Sequence, residues 1–516
     1  MNSPLEILFG GFVRISQGIV ACSPTLLVGL LTAVILRYYL GADGTRRLFG
    51  GDSIKSLPQS WLIGMLLPVC SVGVLPILFQ MRAARVKPGA MTAFALSAPL
   101  FNPLSLLYGL TLSRPLVIIL FAVGSLFVVT ALGLLWDYLT KQKEDTKQEL
   151  EVNQNLIGLS RLAAAFIQIA RGASGKPAAY SLIAISGLGL LAAILPFGAM
   201  QSSVEQDDPF APLRMSIIAP AIFATPMLAM NQLGMMFQHA NSPGAAFSLL
   251  ILGAGLNLAT PLWFGRHFGW KETGLWLISL LGIVIAIAYA LNQLLIPAGV
   301  QPAGHTHAFD IYTNPLPLSE REHWQTSKTL LSKNIDLPGL IALGVLGFCA
   351  SLGVIFRCLK IDESWIAKRK ASQQDGSEAT GMDVIVPRKV IGVTMLAGLV
   401  ALSVVACYGY YPSPGECLEE IALARAECLT AANSGNKEHA LFWLPVWEEW
   451  SRRLEVGTFI RRGEIRRYQS MQGYLIRKKL ETLEHELEHD PYEPEEVKRV
   501  VQDIFGTNRR WVKSFQ

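Results

Sequence analysis

The chain has 516 residues, 51% of them hydrophobic and only 16% charged, with a mean hydropathy of +0.37. A soluble enzyme carries roughly a quarter charged residues, so the composition excludes that class along with a disordered chain, and a net charge of +5 does not suit a nucleic-acid binder. The charge is uneven, with 34 of the 83 charged side chains in residues 412–516, which makes lipid the solvent for most of the chain and water the solvent for its tail.

The N-terminus has neither the basic start nor the small-residue cleavage site of a secretory signal, so membrane insertion is expected to rest on uncleaved spans. A spanning helix needs about 20 mostly apolar residues to cross roughly 30 Å of hydrocarbon. In chain order the candidate spans are 19–40, 61–79, 90–112, 115–135, 178–200, 213–237, 244–264, 274–297, 337–356 and 390–408. This predicts an all-α fold, a polytopic transmembrane helical bundle, with five parts. Residues 1–136 form a first half, 137–177 a polar cytoplasmic linker, and 178–297 a second half. Residues 298–411 hold an extramembrane loop and two further spans, and 412–516 a small soluble helical domain.

The halves echo one another. Pro88-Gly89-Ala90 is followed by Asn102 and Pro243-Gly244-Ala245 by Asn257, with 13 residues from glycine to asparagine in both. The preceding prolines, Pro76 and Pro226, match only if the second half carries a five-residue insertion. Secondary transporters are often built from such halves, with discontinuous helices meeting at a midplane site.

Proline removes a backbone donor and interrupts a helix, and in lipid the freed carbonyls persist only in the protein interior or beside a wet cavity. Pro68, Cys70, Ser71, Gly73 and Pro76 fall in one apolar stretch; Pro99, Asn102 and Pro103 fall in the next; Thr225, Pro226 and Asn257 echo them in the second half. These are the candidate substrate-pathway residues. The bland alternative is a set of ordinary kinks, with both asparagines bonding only neighbouring helices. Apart from Arg37, near the end of the first span, formal charge is scarce within the spans, so a neutral or soft solute is expected rather than one coupled to an intramembrane carboxylate. Cys70 offers a soft ligand, though a lone thiol is often just a small hydrophobe.

Residues 24–112, and above all LIGMLLPVCSVGVLPILFQMRAARVKPGAMTAFALSAPLFNP, resemble the YraQ-like predicted permeases, a family that includes bacterial organoarsenical efflux permeases. The resemblance implies a permease, no enzymatic activity of its own, and a Pro-x-Cys-Ser-Cys-Gly element here carried by Pro68, Cys70, Ser71 and Gly73. The second cysteine of that element is Val72 in this chain, which departs from a two-thiol arrangement for arsenic. The resemblance weakens over 178–297 and does not reach residues 300–516.

Lys and Arg collect on the cytoplasmic side of membrane proteins. The linker and residues 357–389 are therefore expected inside, residues 298–336 outside, and the tail outside in the periplasm of a cell with an inner membrane. One broken segment of the second half must then be re-entrant or cross twice. In the tail, Cys417 and Cys428 lie 11 residues apart and cannot pair on one continuous helix.

His485-Glu486-Leu487-Glu488-His489 fits a zinc-protease pattern but sits in a charged helix, where a solvated face is the simpler account. His305, His307 and Asp310 form a second candidate metal cluster. Trp443, Trp447 and Trp450 share a helix face and suit a domain core. No phosphate loop or dinucleotide fingerprint is present, so no cofactor is expected. The expected partners are the lipid bilayer and a small-molecule substrate. The alternative reading is a membrane-anchored metal-handling or hydrolytic protein whose activity lies in the tail.

Overall fold

The computed structural model describes residues 4–112, 115–140, 156, 158–196, 198–200, 204–295, 308–316, 323–333, 337–363, 365–366, 386–488 and 492–516. Those residues are helical throughout, apart from turns and one isolated β-bridge between Glu205 and Asn241. In chain order the helices are α1 (Pro4–Ile35), α2 (Gly41–Leu48), α3 (Ser56–Leu66), α4 (Val74–Ala83), α5 (Pro88–Ser97), α6 (Pro103–Leu112), α7 (Pro115–Thr140), α8 (Leu159–Ala173), α9 (Lys176–Ile194), α10 (Ala211–Ile218), α11 (Pro226–Gln238), α12 (Pro243–Ser248), α13 (Ala259–Phe268) and α14 (Trp270–Leu294). Then follow α15 (His323–Lys333), α16 (Leu337–Cys358), α17 (Arg388–Tyr410), α18 (Pro414–Ser434), α19 (Lys437–Arg462), α20 (Arg467–Glu488) and α21 (Pro494–Phe515). Residues 1–106 and 116–402 form one compact unit, and 107–115 with 403–516 form a second.

The ten apolar stretches do not all become simple crossings. Among the described residues six continuous runs are long and apolar enough to span: Pro4–Leu48, Leu116–Thr140, Leu159–Ile194, Trp270–Leu294, Leu337–Cys358 and Arg388–Tyr410. The other four stretches are pairs of short helices, α3 with α4, α5 with α6, α10 with α11 and α12 with α13, the last bent by 57°. Prolines open α5, α6, α11 and α12, so in these stretches each chain segment restarts as a new helix rather than continuing the last.

In the first unit α1 is central, packing on α4, α8, α9 and α16. Half of the residues of α1 are buried, whereas α16 buries few and leaves Leu340, Ile341 and Phe348 exposed in a manner suited to lipid. The polar linker is only partly a linker, since its second portion is α8, which packs on α1 and α16.

Charge inside the spans is also less scarce than the sequence suggested, because α1 begins at Pro4 rather than near Ile19 and so includes the buried Glu6 and Arg14. The Arg14 guanidinium donates to the carbonyl of Thr313 at 2.9 Å, to Gln17 at 3.1 Å and to the carbonyl of Asp310, and it interacts electrostatically with the Asp310 carboxylate. Arg37, near the end of the same run, pairs with Glu363 at 2.5 Å.

The internal repeat appears as matching contacts 155 positions apart. Asp137 accepts from the amide of Gly89 at 2.6 Å, and Asn292 accepts from the amide of Gly244 at 3.3 Å. A Cβ on Gly89 would strike the carbonyl of Gly133, and one on Gly244 the carbonyl of Ala288. Arg85 and Ala240, at the ends of α4 and α11, both hold positive φ, 56° and 53°. The five-residue insertion lies in α11 itself, which runs 13 residues from Pro226 whereas α4 continues only eight from Pro76.

The second unit is a four-helix domain following the end of α17. Ser413 and Glu416 form a capping box that starts α18, and the bonds from Ser413 hold the Glu416 carboxyl below its ordinary range. Its core includes Cys428, Leu444, Trp447, Leu480, Ile504 and Trp511, with Trp443 and Trp450 packed against it. The tryptophan stripe is thus core. A buried ion pair, Arg477 with Glu455 at 2.7 Å, joins α20 to α19. Gly473 makes room for it, because any Cβ there would collide with the Glu455 carboxylate.

Cys417 and Cys428 lie on α18 as free, buried thiols. Burial pushes them up to about 11 and about 12 respectively, so both stay protonated at neutral pH. We expect a brief maleimide treatment of the native protein at pH 7, read by peptide mass spectrometry, to modify the exposed Cys358 and to spare Cys417 and Cys428 until denaturant is added. Equal labelling of all three in the native state would contradict this packing.

Candidate functional site

The prolines act chiefly as helix starters rather than as mid-helix kinks. Pro88, Pro103, Pro226 and Pro243 each open a helix, where the missing amide is one that has no intrahelical partner anyway. Pro76 is the third residue of α4 and costs that helix no bond for the same reason. The expectation that Pro76 frees a carbonyl is therefore corrected. Pro68 and Pro99 do lie in the connections, after α3 and α5 respectively, and the broken character resides there.

Residues 67–73 link α3 to α4, and Cys70, Ser71 and Gly73 are all buried. Two elements pin this segment. From α1, the Thr25 hydroxyl donates to the Cys70 sulfur at 2.8 Å. Gly29, one turn further on, lies so close to Gly73 that a Cβ would collide with its carbonyl. From the second half, the Asn257 side-chain amide donates to the carbonyl of Ser71 at 3.0 Å. The hydroxyl of Ser71 is buried without a hydrogen-bond partner.

Asn257 sits in the connection between α12 and α13. Its side-chain oxygen accepts from the amides of Ala259 and Thr260 at 2.9 and 3.0 Å and from the Thr260 hydroxyl at 3.2 Å, which caps α13 while the amide end reaches the first half. Gly255, in the same connection, lies against Leu96 and Leu100 at the end of α5. Breaks from both halves therefore meet.

Asn102 repeats only the local part of this role: its side-chain oxygen accepts from the amide of Ser105 at 2.7 Å, and the Ser105 hydroxyl accepts from the Asn102 amide at 2.9 Å. The Thr225 hydroxyl accepts from the amide of Leu228 at 3.3 Å and caps α11, with Pro226 next to it. The structure thus brings Cys70, Ser71 and Asn257 together and gives Asn102 and Thr225 local capping bonds.

Two residues absent from the sequence-based set join the site. Thr25 bonds Cys70, and the buried Cys22 lies one turn earlier on the same helix. The signal was available: Cys22, Thr25 and Gly29 are spaced i, i+3 and i+7 and so share one face of α1. Gln232, which follows Thr225-Pro226 in the second-half echo, is engaged elsewhere. Buried on α11, it donates to the carbonyl of Ala308 at 3.0 Å and accepts from the Tyr312 hydroxyl at 2.6 Å, while Asn314 of the same segment donates to the carbonyl of Glu6 at 3.2 Å.

Of the metal candidates, His305 and His307 lie outside the described residues, as does His489 of the tail motif. Asp310 belongs to the segment that receives Arg14. Among the described residues no group of three metal-ligating side chains occurs.

No curated protein and no solved structure matches the chain. A family profile described as "Predicted permease" matches residues 9–293, a range that runs from within α1 to the penultimate residue of α14 and holds all four broken stretches. With more than half of its length matched over the helices that build the site, the chain belongs to the predicted permease family and is a multi-pass membrane permease.

Proposed function

We propose that the protein moves a small neutral or thiophilic solute, such as a metalloid or an organoarsenical, across the inner membrane by alternating access, along a route between the broken segments of the two halves. The observation that carries this reading is the single bond from Asn257 to the Ser71 carbonyl, which holds a break of one half against a break of the other. Cys70, Ser71 and Asn257 are buried in this arrangement, which corresponds to a closed state of such a route. Opening it exchanges that bond, and the unpartnered Ser71 hydroxyl, for contacts to the solute. Pro68, Gly73, Pro99 and Pro103 shape the connections, and Asn102, Thr225 and Pro226 cap the helices that border them. Cys70, bonded by Thr25, supplies soft sulfur, and Cys22, one turn before Thr25 on α1, is the candidate for a second thiol in place of the one that Val72 lacks. The charge of residues 141–176 and 357–389 supports a cytoplasmic linker and a periplasmic tail.

The test is flux in sealed vesicles loaded with metalloids, metals or small organic solutes. Cys70→Ala and Cys22→Ala should each reduce flux of a thiophilic solute by roughly tenfold or more, equivalent to about 1.4 kcal/mol or more of lost interaction, while Cys358→Ala leaves it unchanged. Native flux in both thiol variants would refute the thiophilic assignment, and the absence of flux for every solute class would refute the route.

A further inference from the structure

The last turn of α17 meets α19 in an order that fixes the depth of the α19–α20 turn. Gly457 packs on the Pro412 carbonyl, with no room for a Cβ. One turn later along α19, Arg461 donates to the carbonyl of Tyr411 at 2.8 Å and to that of Tyr408 at 3.4 Å. Moving forward along α19 therefore moves backward along α17, toward the bilayer that the apolar run Arg388–Tyr410 is suited to cross. Residues 462–467 follow directly on the contact of Arg461 with Tyr408 and Tyr411, and tyrosines at the end of an apolar run are typical of the boundary between lipid and water.

The chain places basic side chains there. Arg462, Arg466 and Arg467 are exposed around the Gly463 turn, where φ is 76°. Tyr468 beside them is exposed, and Lys513 is exposed on the last turn of α21, next to Ser514, whose carbonyl receives Gln469 at 2.8 Å. Arg453 lies over the rings of Tyr410 and Trp450, at 4.5 and 4.7 Å. The acidic groups nearby are Glu449, paired with Arg453; Glu416, used in its capping box; and Glu464 in the turn itself. Guanidinium groups bind phosphate through paired N–H donors, and basic residues just outside a span attract anionic lipid.

We propose that the α19–α20 turn is a headgroup-binding collar, in which Arg462, Arg466 and Arg467 hold the phosphates of anionic phospholipids in the leaflet from which α17 emerges. The collar is independent of the transport reading, since it rests on contacts within residues 403–516 alone. Hydrogen exchange of the full-length protein in nanodiscs tests it. Amides of residues 459–470 should exchange severalfold more slowly in discs containing phosphatidylglycerol than in pure phosphatidylcholine, and added salt should erase the difference. The exposed-surface variant R462Q/R466Q/R467Q should lose the protection while peptides from α18 keep native exchange, and R462K/R466K/R467K should retain part of it. Identical exchange in the two lipid compositions would overturn the proposal, as would equal protection by inorganic phosphate in detergent micelles, which would mark a free-anion site instead.

Discussion

Asn257→Ala is expected to lower the stability of the protein by about 2–4 kcal/mol, which combines the loss of a helix cap, about 1 kcal/mol, with a buried Ser71 carbonyl left unpaired at about 1–3 kcal/mol. Asn102→Ala, which removes a cap but no bond between halves, should cost only about 1 kcal/mol. The contrast follows from what each side chain holds. Asn257 binds both α13 and the Ser71 carbonyl of the first half, whereas the bonds of Asn102 go to Ser105, three residues away. Thermal unfolding in nanodiscs measures the difference. Equal losses in the two variants would mean that the contact between the halves contributes little, and the proposed route would lose its main support.

The second large effect is expected at two glycines in the first helices of the halves. Gly29 of α1 lies against the carbonyl of Gly73, and Gly187 of α9 lies against the carbonyl of Ala221, each too closely for any Cβ. Alanine at either position must push a helix away from a broken segment, and because the obstacle is backbone it cannot rotate aside. Overpacking of this kind costs about 1–3 kcal/mol or more. Gly29→Ala and Gly187→Ala should therefore reduce both the yield of folded protein and its flux. Gly344→Ala is the control: nothing lies within 4 Å of its Cβ position, so the substitution should be neutral or gain several tenths of a kcal/mol from better helix propensity. Size-exclusion profiles with thermal unfolding give the answer. A native-like Gly29→Ala would show that α1 does not press on the Cys70 segment in the folded protein.

Much of this arrangement can be read from residue types. Apolar runs select lipid, a proline or glycine ends a helix because it lacks a donor or a side chain, and both effects are local. The two broken stretches of the first half, their echo in the second and the repeat of Pro-Gly-Ala with asparagine are legible for that reason, and helical spacing marks the tryptophan stripe as core. The six continuous spans were harder to delimit. α1 starts at Pro4, well before the span expected from residue 19, and its buried Arg14 is accommodated there by the carbonyls of Asp310 and Thr313.

Periodicity could have found Cys22, but only the bond from Thr25, one turn further on, to Cys70 makes it relevant. Prolines presented the opposite difficulty. Pro76 reads as a kink from its flanking apolar residues, yet its place in the first turn of α4 makes it harmless.

Residue order alone thus determined which segments prefer lipid, where helices must stop, and that the two halves share one plan, since each follows from the chemistry of neighbouring residues. The tertiary structure decided which polar group answers which freed backbone atom. Ser71 and Asn257 are 186 positions apart, and Arg14 and Thr313 are 299 apart. A carbonyl left open in an apolar interior accepts whichever donor the packing delivers, and no local pattern in the chain specifies that donor.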